Sequence, residues 1–93
     1  MQYEVKYSTR FSKDVQRLQR RGYDISLLID VVNKLSHNIK LEAKNKDHPL
    51  KGNWIGYREC HITPDWLLIY KVDKNKLILY MTRTGSHSDL LYR

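Results

Sequence analysis

Residues 54–82 restrict the fold most, because three short apolar-rich runs are separated there by two tight-turn signals. Residues 54–62 alternate bulky and polar side chains, the period of a strand with one covered face, and Thr63-Pro64-Asp65 has the chemistry of a tight turn. Residues 66–72 (WLLIYKV) and 77–82 (LILYMT) read as two further strands, joined through the Asp and Asn of residues 73–76. The expected product is an antiparallel meander. Alternate turns of a meander lie at opposite ends, so the end of its first strand, the start of its second and the end of its third share one edge. That edge carries His61, Asp65, Arg83 and, just beyond, His87. Both parities of residues 66–82 are largely apolar, so the second sheet face also needs a cover, which a partner protein or a bound substrate would supply.

Upstream, Tyr3, Val5 and Tyr7 alternate with Glu4 and Lys6 as in a first strand. Ser8 or Thr9 then serves as N-cap of a helix over residues 10–21, with Phe11, Val15 and Leu18 on one face and Gly22 placed to end it. Arg10, Lys13, Arg17 and Arg20 form a stripe opposite, which is either a track for a phosphate backbone or a solvated face. Asp24 caps a second helix running to about Asn38; Ile25, Leu28, Val32 and Leu35 recur at helical spacing, Leu27, Ile29 and Val31 widen the apolar face, and the helix is expected to lie deep against the sheet. Residues 39–53 read as a long basic loop. The order predicts an α+β fold: one N-terminal strand, two helices packed on the sheet, and the meander, with the last strand beside the first in a four-stranded sheet.

Ninety-three residues without repeats or a linker make one domain, residues 1–93. Seventeen Lys and Arg against ten Asp and Glu give a formal charge of +7, which favours a polyanionic partner, nucleic acid before an acidic protein. The apolar runs are too short to span a bilayer and the polar start is unlike a secretory segment, so no membrane partner and a cytoplasmic address are expected. Cys60 is the only cysteine, which excludes an internal disulfide and suits a buried strand position.

RNA is cut when its own 2′-OH attacks the adjacent phosphorus, provided that a base takes the hydroxyl proton, an acid protonates the departing 5′-oxygen and the developing charge is stabilised. Histidine suits proton transfer near neutrality, and the planar arginine fork suits a phosphate. His61 at a strand end, Asp65 in the turn, Arg83 and His87 supply this set; His48 lies in the basic loop, and His37 near a helix end reads as incidental. Each has an ordinary reading as well: surface histidines, a turn aspartate, a surface arginine. Only their convergence points to RNA cleavage. The further candidates for RNA contact are Lys46, Lys51, Arg58 and Trp66, although Arg58 would equally pair with a cross-strand carboxylate and Trp66 would equally fill the core. A zinc site from the histidines, Asp65 and Cys60 matches no compact ligand spacing, and no cofactor or metal is expected.

The run from Asp47 through His48, Pro49, Leu50, Lys51, Gly52 and Asn53 to Trp54, then Gly56-Tyr57-Arg58-Glu59-Cys60-His61, Pro64-Asp65-Trp66 and Arg83-Thr84-Gly85-Ser86-His87, resembles the YafQ-type toxins of the RelE/ParE superfamily. Tyr7-Ser8 and Phe11-Ser12-Lys13-Asp14 extend the resemblance towards the N-terminus. It implies a RelE-like toxin of a bacterial type II toxin–antitoxin pair, a metal-independent endoribonuclease that cuts mRNA at the ribosome. The implied partners are mRNA, the ribosome and a cognate antitoxin, with DNA met only through the antitoxin complex. By motif, His48, His61, Asp65, Arg83 and His87 match the active-site set: His87 as acid, Asp65 or His61 as base, Arg83 on the phosphate, His48 positioning RNA. Trp66 matches a further site position, whereas Leu91 stands where the resembling sequences carry an aromatic ring; Tyr92, one place later, either takes that ring's place as an RNA contact or leaves the stacking weaker. The rival reading is a non-catalytic toxin or binding module of the same superfamily, acting on a protein such as DNA gyrase or on RNA.

Overall fold

The computed structural model describes residues 2–90. Strand β1 (Glu4–Tyr7) leads into helix α1 (Thr9–Arg20), a short turn and helix α2 (Ile25–Ser36). After a 3-10 turn at Ala43–Asn45 come β2 (His48–Pro49), a second 3-10 turn at Gly52–Trp54, and strands β3 (Arg58–Thr63), β4 (Trp66–Asp73) and β5 (Ile78–Gly85). The expected helices form with the expected caps. Ser8 Oγ accepts the Phe11 N–H and donates to the Thr82 carbonyl, so one residue both starts α1 and ties it to β5. Asp24 accepts the Ser26 N–H at the start of α2.

The meander forms as read, with β3–β4 and β4–β5 antiparallel, and β1 lies beside β5 in parallel. The sheet is nevertheless five-stranded and mixed, in the order β1-β5-β4-β3-β2. The loop expected over residues 39–53 supplies the extra strand: His48 and Pro49 pair with Glu59 and Arg58 at the edge, where a proline costs no ladder hydrogen bond. The expected strand start at Trp54 is also corrected. Gly56 takes φ +93, a left-handed conformation that interrupts an extended chain, so β3 begins at Arg58. Leu77, expected within the last strand, sits in the turn at φ +55, and β5 runs on to Gly85.

Both sheet faces are covered by this chain itself. Phe11 and Leu18 of α1 and Leu28, Val31 and Val32 of α2 pack on Cys60, Trp66, Leu68, Tyr70, Leu79 and Met81. On the opposite face Leu67 and Ile69, both fully buried, lie under Leu90 with Leu50, Trp54 and Tyr57 against them. The expectation that a partner or substrate must cover this face is therefore replaced by the 50–57 segment and Leu90. Full burial of such a side chain is worth about 1.5–3 kcal/mol and the half-buried Leu50, Trp54 and Tyr57 each gain part of it, so the 50–57 segment is held on the sheet by its own apolar residues. Helix α2 is less deeply set than its sequence suggests, since Leu27 and Ile29 remain exposed.

Candidate active site

The two-residue turn between β3 and β4 and the end of β5 meet as the meander requires. Register pairs His61 with Leu67 and Leu67 with Gly85, so the last residues of β3 and β5 flank the start of β4 on the face away from the helices. The rings of His61 and His87 lie 5.8 Å apart, edge to face. Asp65 joins them: its Oδ1 accepts both the His87 backbone N–H, at 3.1 Å, and the His87 Nδ1–H, at 2.5 Å. With Nδ1 donating to Asp65, Nε2 of His87 is left to face a substrate. His61 places Nδ1 3.3 Å from the Pro64 carbonyl, which likewise leaves its Nε2 outward. The hydrogen bonds from the His87 ring and backbone hold the Asp65 carboxyl below the ordinary carboxylate range, so Asp65 stays ionised at neutral pH.

His48 joins the group from the edge strand. It pairs with Glu59, two residues along β3 from His61, which places both histidines on the same sheet face. Its Nδ1 lies 2.7 Å from the Lys46 carbonyl and its Nε2 3.6 Å from Glu59 Oε1. Asn45 donates to the His61 carbonyl at 2.7 Å, fastening the 3-10 turn before β2 directly to the strand end that bears His61. Lys46 and Lys51 are exposed on either side of β2. Glu59, a carboxylate only 2% exposed on the histidine face, escaped the sequence reading. Its signal was available, because it stands two residues before His61 in a strand of period two.

Three expected site residues are placed differently. Arg83 does not offer an open fork: it is buried, with Nε 2.7 Å and Nη2 3.2 Å from the two oxygens of Asp14 on α1. The cause is the short β1, which ends opposite Met81; beyond it Asp14 takes the Thr84 N–H and draws the Arg83 side chain to the open edge of β5. Trp66 does not present a stacking face. It is 2% exposed, donates from Nε1 to Thr84 Oγ1 and meets Tyr23 edge-on, as an indole with one polar atom in a core must. Arg58 lies opposite Tyr70, on the helix-side face, and pairs with Asp47; the Tyr70 hydroxyl donates to the same carboxylate at 2.7 Å. That trio anchors the segment before His48 and is not part of the histidine face. Tyr92 and Leu91 lie outside the described residues. His37 is the C-cap of α2 and reaches back to the Asn33 carbonyl, in keeping with its incidental reading. Cys60 is fully buried, and burial pushes its thiol pKa far up.

Two histidines, one of them steered by a carboxylate, lie together on one sheet face of a small α+β domain near the exposed Lys46 and Lys51, an arrangement with the chemistry to exchange protons with a bound anion. Among the described residues no three His, Cys, Asp or Glu side chains group closely enough to hold a metal ion, and no helix is long and apolar enough to cross a membrane. The profile of the family described as bacterial toxin of type II toxin–antitoxin system, YafQ, matches residues 3–92, and the chain belongs to that family. It is 43% identical over 91 residues to the mRNA interferase toxin YafQ of Escherichia coli K12, covering 97% of both chains. The fold superposes on the toxin in the E. coli DinJ–YafQ toxin–antitoxin complex with a TM-score of 0.87 at 43% identity, covering 97% of this chain and 98% of that one. A metal-bound toxin from Helicobacter pylori is equally similar, with a TM-score of 0.88 at 43% identity over 97% and 99% of the two chains.

Proposed function

We propose that this toxin is an endoribonuclease that cuts mRNA on the ribosome by 2′-OH attack, with His61 as the base, His87 as the acid and Asp65 as the group that orients His87. The observation that carries this reading is the His61–His87 pair, whose rings are 5.8 Å apart, near enough for one phosphodiester to touch both. Asp65 is a poorer base than His61, because a carboxylate already accepting two hydrogen bonds from His87 is stabilised in its charged form. It suits the task of fixing one tautomer and one ring direction. His48, on the same sheet face towards β2, positions the RNA, and the exposed Lys46 and Lys51 beside it meet the RNA backbone. Arg83 serves as a buried strut, leaving the charge on the phosphate to the histidines and the basic surface. Proton transfer between side chains and substrate is sufficient for this cleavage, so activity is independent of added metal. A cognate antitoxin binds and restrains this toxin, and the E. coli relative is crystallised in a toxin–antitoxin complex.

The test uses purified toxin on ribosomes programmed with a defined mRNA, in excess chelator. Wild type is expected to cut and His87→Ala to be slowed by roughly 100-fold or more, the range of a lost general acid. Cleavage by His87→Ala at the wild-type rate would remove the assignment.

A further inference from the structure

His87 sits in a turn that is closed from the other side by a residue with no part in the histidine cluster. In residues 86–89 the Ser86 N–H donates to Asp89 Oδ2 at 2.9 Å, and the Asp89 N–H returns to Ser86 Oγ at 3.2 Å. Leu90 then donates its N–H to the Ser86 carbonyl and seats its side chain on Leu67 and Ile69. The turn is so tight that a Cβ on Gly85 would lie 2.8 Å from the Asp89 Cβ and 2.9 Å from its carboxylate, so the chain needs glycine there to let the two segments close. Arg21, the C-cap of α1, grips the same carboxylate with both Nη atoms, at 2.9 and 3.0 Å. The Arg21 backbone N–H is itself bonded to the Arg17 and Leu18 carbonyls, so the guanidinium projects from a fixed base. His87 is thus held twice over, its ring and N–H by Asp65 and its turn by Asp89.

We infer that Asp89 is a positioning residue for His87, and that Arg21 latches it, so that the end of α1 sets where the His87 imidazole stands relative to His61. The inference rests on the proposed role of His87. An isolated exposed ion pair contributes little to a fold. This one differs because the carboxylate it holds also receives the Ser86 N–H, next to the residue being placed. The Arg21 and Ser86 hydrogen bonds keep Asp89 ionised, its pKa lowered to about 2, so the latch stays closed at every pH at which the cell lives. Nothing in the pairing touches substrate. Its loss is expected in the rate and not in binding.

The experiment compares Asp89→Ala, Asp89→Asn and Arg21→Ala with wild type and His87→Ala on programmed ribosomes. Asp89→Ala is expected to lower the single-turnover cutting rate by roughly ten- to a hundredfold, the effect of displacing a reacting group by about 1 Å. Ribosome affinity and antitoxin binding should stay near wild type, and the thermal midpoint should fall only by the loss of the clasp, leaving the variant folded at the assay temperature. Asp89→Asn keeps an acceptor for the Ser86 N–H and should recover most of the rate; Arg21→Ala should give a smaller loss in the same direction and substitutes for Asp89→Ala should the latter fold poorly. The imidazole ¹⁵N signals of His87, which report a single tautomer while Nδ1 donates to Asp65, should move towards tautomer averaging in Asp89→Ala. Wild-type rate and unmoved ring signals in Asp89→Ala, with His87→Ala inactive, would overturn this inference alone. A rate loss accompanied by unmoved ring signals and an equal fall in thermal midpoint would reduce Asp89 to a structural role and overturn it as well. An active His87→Ala would instead bring down the reading of the site.

Discussion

Removing the Asp14 carboxylate is expected to destabilise the fold severely, although the residue lies on a helix whose sequence shows only an apolar face and a basic stripe opposite it. Its side chain is 4% exposed and accepts four hydrogen bonds: Arg83 Nε at 2.7 Å, Arg83 Nη2 at 3.2 Å, Arg17 Nη2 at 3.0 Å and the Thr84 N–H at 3.2 Å. Asp14→Ala leaves the Arg83 guanidinium, itself 6% exposed, in the interior without its carboxylate. Breaking a buried pair from one side costs about 3–5 kcal/mol, a large share of the roughly 5–15 kcal/mol that holds a domain of this size. At about 4–8 °C per kcal/mol, the thermal midpoint should fall by at least about 12 °C. Circular dichroism melting of the purified toxin measures it, with urea titration giving the free energy. The double variant Asp14→Leu with Arg83→Met, which removes both charges and keeps volume, should be more stable than Asp14→Ala. A loss below about 1 kcal/mol, the size of a surface pair, would refute the reasoning and make Arg83 available again as a phosphate ligand.

The Cys60 thiol should resist alkylation by iodoacetamide in the folded toxin and react only at the rate of unfolding, because burial disfavours its thiolate; rapid labelling at neutral pH would contradict its packing. Asp89 titrates lower in the fold than in the open chain, so the clasp stabilises the fold above the usual carboxyl value of 3.8 and that contribution is lost as pH falls through about 2. The Asp89 carboxyl ¹³C signal should therefore turn near 2 in wild type and at a higher pH in Arg21→Ala, where only the Ser86 hydrogen bonds remain to hold it down; equal midpoints would dissolve the latch. Tyr70→Phe should free one acceptor site on Asp47 and loosen the segment that bears His48, seen as faster amide exchange in residues 46–48 with the β4–β5 amides unchanged.

What the sequence made legible was periodic or local. The Pro64-Asp65 turn, the two helix caps and the strand pattern of β4 and β5 are set by neighbours in the chain, and they bring His61, Asp65 and His87 to one edge. Side chains whose direction depends on distant residues were not legible. Arg83 reads as an open cation until Asp14, 69 positions away, is seen to occupy it. Trp66 reads as either core or stacking surface, and the choice falls to Tyr23 and Thr84. The edge strand β2 is two residues long and carries a proline, so no alternation was there to find it. Arg58 stands one residue from Glu59, and that single step decides which sheet face each joins.

The most direct test of the central claim is the chemistry left at the cut. Purified toxin is allowed to cleave a defined mRNA on programmed ribosomes, and the new ends are analysed by enzymatic end-labelling and mass spectrometry. Attack by the 2′-OH under His61 and His87 predicts a 2′,3′-cyclic phosphate on the upstream fragment and a 5′-hydroxyl on the downstream one. A 3′-hydroxyl facing a 5′-phosphate would mean that water is the nucleophile, and the mechanism proposed for this histidine pair would be wrong.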